Sequence, residues 1–323
     1  VDVDQDAILT WSGNASGSYG AFSITPGGDW TYILDPSLVD TLNDGQVERE
    51  TFAATVTDEN FASDSINVVI TVSGENDQPV ITSSVDQLLG EVTEDGEITE
   101  VSGTLTAEDV DGDALVWTTN ATAAFGVFDI TSEGVWTYTL TNAAVQDLAE
   151  GETQQEFLDV SVSDGFGIPV VETVVITITG TNDAPEVSGE LSTTSGAITE
   201  DAAASVGGTL VAGDVDNDAV LSWTGDAVGT YGSFEITPTG VWTYTLNPGS
   251  DEVLAGDERV TEQFVATVTD EFGASDTATV FITVSGENDQ PVITSSVDQL
   301  LGEVTEDGEI TEVSGTLTAE DVD

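Results

Sequence analysis

The chain has 323 residues, 62 of them Asp or Glu against two arginines, Arg49 and Arg259, with no Lys, His, Cys or Met and a net charge of −60. This balance excludes electrostatic attraction to nucleic acid or to anionic lipid, and the lack of cysteine excludes a disulfide framework or a thiolate metal site. Hydrophobic residues at 39% and six tryptophans are too many for an acidic disordered tail, so a folded chain of this charge has to recruit cations, divalent ions most effectively.

Taken from its start, the sequence reads as strand after strand, and it copies itself. Trp11, Trp117 and Trp223 are 106 residues apart, as are Trp30, Trp136 and Trp242, and Ile70 to Asp111 recurs without change as Ile282 to Asp323. A period of that length is one small domain, not a helical solenoid repeat. Residues 1–76 form a partial repeat, because Val1-Asp2-Val3-Asp4 aligns with the loop that follows the second strand of later repeats. Residues 77–182 and 183–288 are full repeats, and 289–323 supply the first strands of another. Leu38 to Leu42 and Val145 to Leu148 are candidate helical turns.

In the third repeat a first strand follows Pro185, and a turn at Glu200-Asp201 leads to a strand at 208–212. The acidic loop Asp214-Val215-Asp216-Asn217-Asp218 precedes a strand around Trp223, and Pro238-Thr239-Gly240 joins the hairpin strands 233–237 and 241–246. Two long alternating strands, 264–269 and 278–284, flank Asp270-Glu271-Phe272-Gly273. Short alternating strands punctuated by Gly, Pro, Asn and Asp indicate an all-β fold, tandem immunoglobulin- or cadherin-like sandwiches in a linear array, with Trp223, Trp242, Tyr244, Phe234 and Phe264 in the core. The linkers at Asn76-Asp77, Asn182-Asp183 and Asn288-Asp289 are short and carry a proline, which restricts hinge freedom. There is no signal peptide, lipidation motif or apolar run of 18 residues, and the expectation is an internal segment of a longer protein.

Counting strands alternately down and up brings three oxygen-rich groups to each linker, which suits the six to eight oxygen ligands of Ca2+; the absence of His and Cys disfavours zinc or copper. The first linker would use Asn76, Asp77, Asp109, Asp111, Asp113 and Asp164. The second would use Glu94, Asp95, Asn182, Asp183, Asp214, Asp216, Asp218 and Asp270, with Glu152 near by; the third, Glu200, Asp201, Asn288, Asp289, Asp321 and Asp323. The competing reading is that these residues only make turns, where Asp, Asn and Gly are common. The loop at Asp109 is not an EF-hand, since Ala114 and Asn120 stand where that loop needs Gly and Glu.

The stretches 103–113 (GTLTAEDVDGD), 231–246 (YGSFEITPTGVWTYTL), 268–273 (VTDEFG) and 286–293 (GENDQPVI) resemble the VCBS-type, cadherin-like repeats of giant bacterial RTX adhesins, over essentially the whole chain. The resemblance implies type I secretion, an extracellular cell-surface location, extender modules rigidified by calcium, and a role in adhesion or biofilm formation. The linker is shorter than the full cadherin motif, which leaves the number of ions per linker open. The expected function is a calcium-stiffened spacer whose partners are neighbouring repeats, with the adhesion ligand carried elsewhere and no direct membrane insertion. The alternatives are a fibre subunit joined end to end to other copies by strand complementation, and a carbohydrate-binding module. An enzyme is not expected: paired carboxylates are the only acid-base groups available, as in a glycoside hydrolase, and every candidate pair recurs in near-equal copies.

Overall fold

The computed structural model describes residues 8–201, 204–247, 249, 254–304, 306–307 and 312–321. Two compact units divide the chain, Val1–Val145 with Thr153–Thr179, and Gln146–Glu152 with Gly180–Asp323. In the first, the partial repeat comprises β1 (Thr10–Ser12), β2 (Ala15–Ser16), β3 (Gly20–Ile24), β4 (Trp30–Leu34), α1 (Pro36–Val39), β5 (Val47–Thr57) and β6 (Ser63–Ser73). The second repeat adds β7 (Val80–Ile81), β8 (Leu89–Thr93), β9 (Glu100–Thr104), β10 (Ala107–Glu108), β11 (Val116–Thr119), β12 (Gly126–Ile130), β13 (Val135–Leu140), β14 (Thr153–Ser163) and β15 (Val170–Thr179). The second unit carries β16 (Glu186–Val187), β17 (Ser195–Thr199), β18 (Ser205–Thr209), β19 (Ala212–Gly213), β20 (Ser222–Thr224), β21 (Ala227–Val228), β22 (Gly232–Ile236), β23 (Val241–Leu246), β24 (Arg259–Thr269) and β25 (Ser275–Ser285), then β26 (Val292–Ile293) and β27 (Ala319–Glu320).

Each full repeat is a sandwich of two sheets. In the second, β8-β15-β14-β11 faces β9-β13-β12; in the third, β17-β25-β24-β20 faces β18-β23-β22-β21. Pairing is antiparallel except for β8 on β15 and β17 on β25, which are parallel. Strand alternation sends every second side chain inward, so Phe264, Ala266 and Val268 of β24 meet Val280, Ile282 and Val284 of β25 in one core with Trp223, Trp242 and Tyr244. Phe234 stacks on Phe264 with ring centroids 5.1 Å apart. Among the described residues the partial repeat has β1-β5-β6 and β2-β3-β4. Among its described residues there is no counterpart of β8 or β9, and Trp30 is 50% exposed where Trp136 and Trp242 are 0% exposed.

Two local expectations shift. The strand expected at 208–212 runs as β18 and β19: β18 pairs with β23, the chain turns away at Leu210, whose amide reaches the Gly240 carbonyl, and β19 pairs with β16. The first helical turn forms early, with the Asp35 carboxylate capping the Ser37 amide. The second appears as a 3-10 turn at Asn142–Ala144, since Val145 and Leu148 are themselves buried.

One recurring contact is absent from the sequence reading. Glu50, Glu156 and Glu262 stand 106 residues apart on β5, β14 and β24, and each carboxylate accepts two successive backbone amides: Ser18 and Tyr19, Ala124 and Phe125, Thr230 and Tyr231. Tyr32 and Tyr244 donate to Glu50 and Glu262 at 2.5 Å. Burial and then the Glu50 bond push the Tyr32 phenol up to about 12; burial first, and then the nearby Glu156 carboxylate, raises Tyr138. Glu156→Ala takes a charged acceptor from two part-buried amides and should destabilise the second repeat by about 1–3 kcal/mol. Chemical denaturation measures this, and hydrogen exchange should speed first at Ala124 and Phe125.

Candidate metal centre

The first linker lies within the first unit. Asn76 donates its side-chain amide to the Asp77 carbonyl at 2.8 Å and to Asp164 Oδ2 at 3.0 Å. The Asp77 amide reaches Asp111 Oδ2 at 2.8 Å, and the Asp111 amide reaches Asp109 Oδ1 at 3.0 Å. Each bond turns one oxygen toward the backbone and leaves the other behind. Asn76 Oδ1, Asp109 Oδ2, Asp111 Oδ1 and Asp113 Oδ2 are buried without a hydrogen-bond partner, and oxygens of the three aspartates lie within 4.8 Å of one another. Asp111 is 8% exposed. Gly112, with φ +80, lets the loop turn so that Asp111 and Asp113 face the same point.

The second linker repeats the frame inside the second unit. Asn182 bonds the Asp183 carbonyl at 2.6 Å and Asp270 Oδ2 at 3.0 Å; the Asp183 amide bonds Asp216 Oδ2 and the Asp216 amide bonds Asp214 Oδ1. Asp214 Oδ2 and Asp216 Oδ1 are again buried without a partner. The triplet departs at its third member, because Asp218 is exposed with φ +58. The third repeat has one more residue between the triplet and its tryptophan than the second, and Asn217 replaces Gly112, so the left-handed turn falls on Asp218 itself.

The remaining expected ligands distribute as follows. Glu94 and Glu200 are buried, at 0% and 2% exposure, each with its amide on the last strand of its repeat, to Thr179 and Ser285. Glu200 also accepts the Glu287 amide. Asp95 is exposed and exchanges bonds with the side chain of Asn142, and Asp201 takes the equivalent left-handed turn position. Asn288 bonds the Asp289 carbonyl, as Asn76 and Asn182 bond theirs. Asp321 is exposed, and Asp323 lies outside the described residues. Glu152 caps the Ala149 amide, while its neighbour Glu150 accepts the Asn182 amide at 3.0 Å. The sequence reading missed Glu150, and also Asp40, whose charge acts on Asp77; neither belongs to a recurring motif.

The charges show the strain of this packing. Burial, then Asp111, Asp40 and Asp109, raise the pKa of Asp77; burial, then Asp214, Asp270 and Glu271, raise that of Asp216. The Asn76 bond and then the Phe166 amide lower Asp164. Burial pushes Asp270 up, but the Asn182 bond and the amides of residues 272–274 outweigh it and hold it low. Oxygen-only donors, several of them buried and unpaired, fit a hard cation of flexible coordination such as Ca2+.

Residues 76–180 and 182–286 each match the profile of the bacterial cadherin-like domain. The chain belongs to that family, as tandem repeats of a β-sandwich. It is 28% identical over 176 residues to a calcium-binding lectin, RapA2, of Rhizobium johnstonii, covering 50% of this chain and 72% of the relative. Solved structures with the same fold include mouse cadherin-23 EC22-24, at TM-score 0.51 and 14% identity over 88% of this chain and 89% of that one. Protocadherin gammaB7 EC3-6 aligns at TM-score 0.53 and 15% identity, over 98% and 78%.

The raised pKa values of Asp77 and Asp216 mean that the folded state holds protons there more tightly than the unfolded chain, so that contribution is lost as pH rises through the folded values. Asp164 and Asp270 contribute stability above their unfolded values and lose it as pH falls through their lowered ones. In chelator, acidifying through the raised values of Asp77 and Asp216 should therefore raise the melting temperature, until the lowered values of Asp164 and Asp270 are reached and the trend turns. With calcium present the trend should reverse, because protons compete with the ion. Calorimetry across that range in both buffers checks the crossing.

Proposed function

We propose that the linker carboxylates of this chain bind Ca2+ and that the chain is an extender segment of a secreted bacterial surface adhesin of the RTX type, serving adhesion or biofilm formation. The observation that carries the reading is the set of buried oxygens at Asn76, Asp109, Asp111 and Asp113 that no protein donor satisfies. A calcium ion there would join the linker to the acidic loop that follows β10, limit hinge motion at Asn76-Asp77, and offset the mutual repulsion of the carboxylates. Membership of a bacterial cadherin-like family and a calcium-binding relative support it. Such a segment works mechanically: reach depends on the number of repeats, so near-identical copies serve as well as distinct ones. Secretion and a place at the cell surface follow from the same reading. The relative's name raises carbohydrate binding; Trp117, Trp136, Trp223, Trp242, Tyr138 and Tyr244 of the full repeats are buried, and the exposed aromatics there are the phenylalanines Phe157, Phe166, Phe272 and Phe281.

Calcium at about 0.1–1 mM, the affinity range of extracellular modules, should raise the melting temperature, and magnesium should do less because it holds its waters in near-octahedral geometry. A site filled to ten times its Kd adds about 1.4 kcal/mol. Unchanged melting on chelation would remove the metal assignment. A second test is a sign change: D109N, D111N and D113N together should stabilise the calcium-free protein by relieving repulsion while abolishing the calcium increment at the first linker, read by calorimetry and calcium titration.

A further inference from the structure

The two linkers share a frame and part company at their acidic loops. In the first, the turn closes from the Gly112 amide to the Asp109 carbonyl at 3.3 Å, and Gly112 takes the left-handed conformation. Asp111, 8% exposed, keeps Oδ1 without a hydrogen-bond partner, and oxygens of Asp109, Asp111 and Asp113 lie within 4.8 Å of one another. In the second, the turn closes later in the loop, from the Ala219 amide to the Asp216 carbonyl at 3.5 Å. Asp218 therefore falls inside the turn, left-handed and exposed. Asp214 Oδ2 and Asp216 Oδ1 stay buried without a partner, but among the described residues Asp214, Asp216 and Asp218 do not gather as the first triplet does. Calcium affinity follows the number of charged ligands and the rigidity of the site, so losing one carboxylate weakens the second site.

The second linker has protein bonds in that place. The Asn217 amide, outside the turn that Gly112 closes in the first loop, reaches the Asp147 carbonyl at 3.0 Å, and the Asn182 amide reaches Glu150 Oε2 at 3.0 Å. Both acceptors lie in residues 146–152, between β13 and β14, so this loop is tied at one point to the linker and at another to the acidic loop. At the first linker the corresponding residues are Thr41 and Asp44, both exposed, and Asp44 is one methylene shorter than Glu150.

We propose that the two linkers depend on calcium unequally. The first is stiffened by an ion held among Asp109, Asp111, Asp113 and Asn76. The second is held by the bonds from Asn217 to Asp147 and from Asn182 to Glu150, with a weaker ion site that lacks Asp218. As calcium rises the first linker fills before the second, and in low calcium the hinge freedom is concentrated at Asn76-Asp77. The order of filling rests on the calcium reading above; the hydrogen-bonded clamp on the second linker does not.

Hydrogen-exchange mass spectrometry on the 323-residue chain, titrated with calcium from chelator upward, tests both parts. Peptides 105–120 and 213–224 each have a sequence of their own in spite of the repeats, so each reports one linker. The expected result is protection of 105–120 at a calcium concentration about tenfold below that needed for 213–224, and slower exchange of 213–224 than of 105–120 in chelator. Asp113→Asn should raise the calcium midpoint of 105–120 about tenfold and leave that of 213–224 in place. Glu150→Ala should speed exchange at Asn182 and in 213–224 in chelator, without moving the midpoint of 105–120. Equal midpoints, or 213–224 filling first, would overturn the order of filling and leave the calcium reading standing. Exchange indifferent to Glu150→Ala would overturn the clamp. If calcium protects neither peptide, the calcium reading falls and takes the order of filling with it, while the chelator measurements still decide the clamp.

Discussion

The rest of the structure depends on how a chain with 62 carboxylates and two arginines, both exposed, places negative charge in partly buried sites. Burying an ionised carboxylate without a partner is costly, and here no lysine or histidine is available to pair with it. The chain first uses backbone amides. Asp58, Asp164 and Asp270 each accept amides of the turn that follows them, Asp111 and Asp216 accept the linker amide, and Glu50, Glu156 and Glu262 accept pairs of loop amides. Amides satisfy one oxygen each of Asp109, Asp111, Asp214 and Asp216. The second oxygens, left buried and unpaired at Asp109, Asp111, Asp214 and Asp216, are what makes the loop a candidate for a cation and not only a hydrogen-bonded turn.

Much of this was legible in the sequence because repetition removes ambiguity. A single Asp-x-Asp-x-Asp is a turn as readily as a ligand set, but one recurring beside each Asn-Asp linker specifies both the loop and its neighbour. The strands were legible because their inward residues alternate without interruption, as in Phe264, Ala266 and Val268. The Asn side chain as a bridge between linker carbonyl and the Asp of the β14–β15 or β24–β25 turn was not, since it needs the fold to bring residues 88 apart into contact. Nor was the failure of Asp218 to join its triplet, which follows from one inserted residue and one lost glycine.

Glu156 and its counterparts show the opposite limit. Their period of 106 was as regular as that of the tryptophans, but a lone Glu within a strand reads as an outward-facing residue. Only the register places it at the end of the core, under a loop whose two amides have no other acceptor. The small residue at that loop is part of the same arrangement: a Cβ at Gly17 or Gly229 would overlap the glutamate, and Ala123 stands at the equivalent place in the second repeat.

A strand that pairs in parallel with the last strand of its repeat, as β8 does with β15, is bonded far from its sequence neighbours and is held by register and by the shape of a glycine-lined groove over a tryptophan. Such a strand owes nothing to covalent continuity with the sheet it completes. Register and groove shape, more than local sequence, therefore decide where β8 and β17 sit in their repeats.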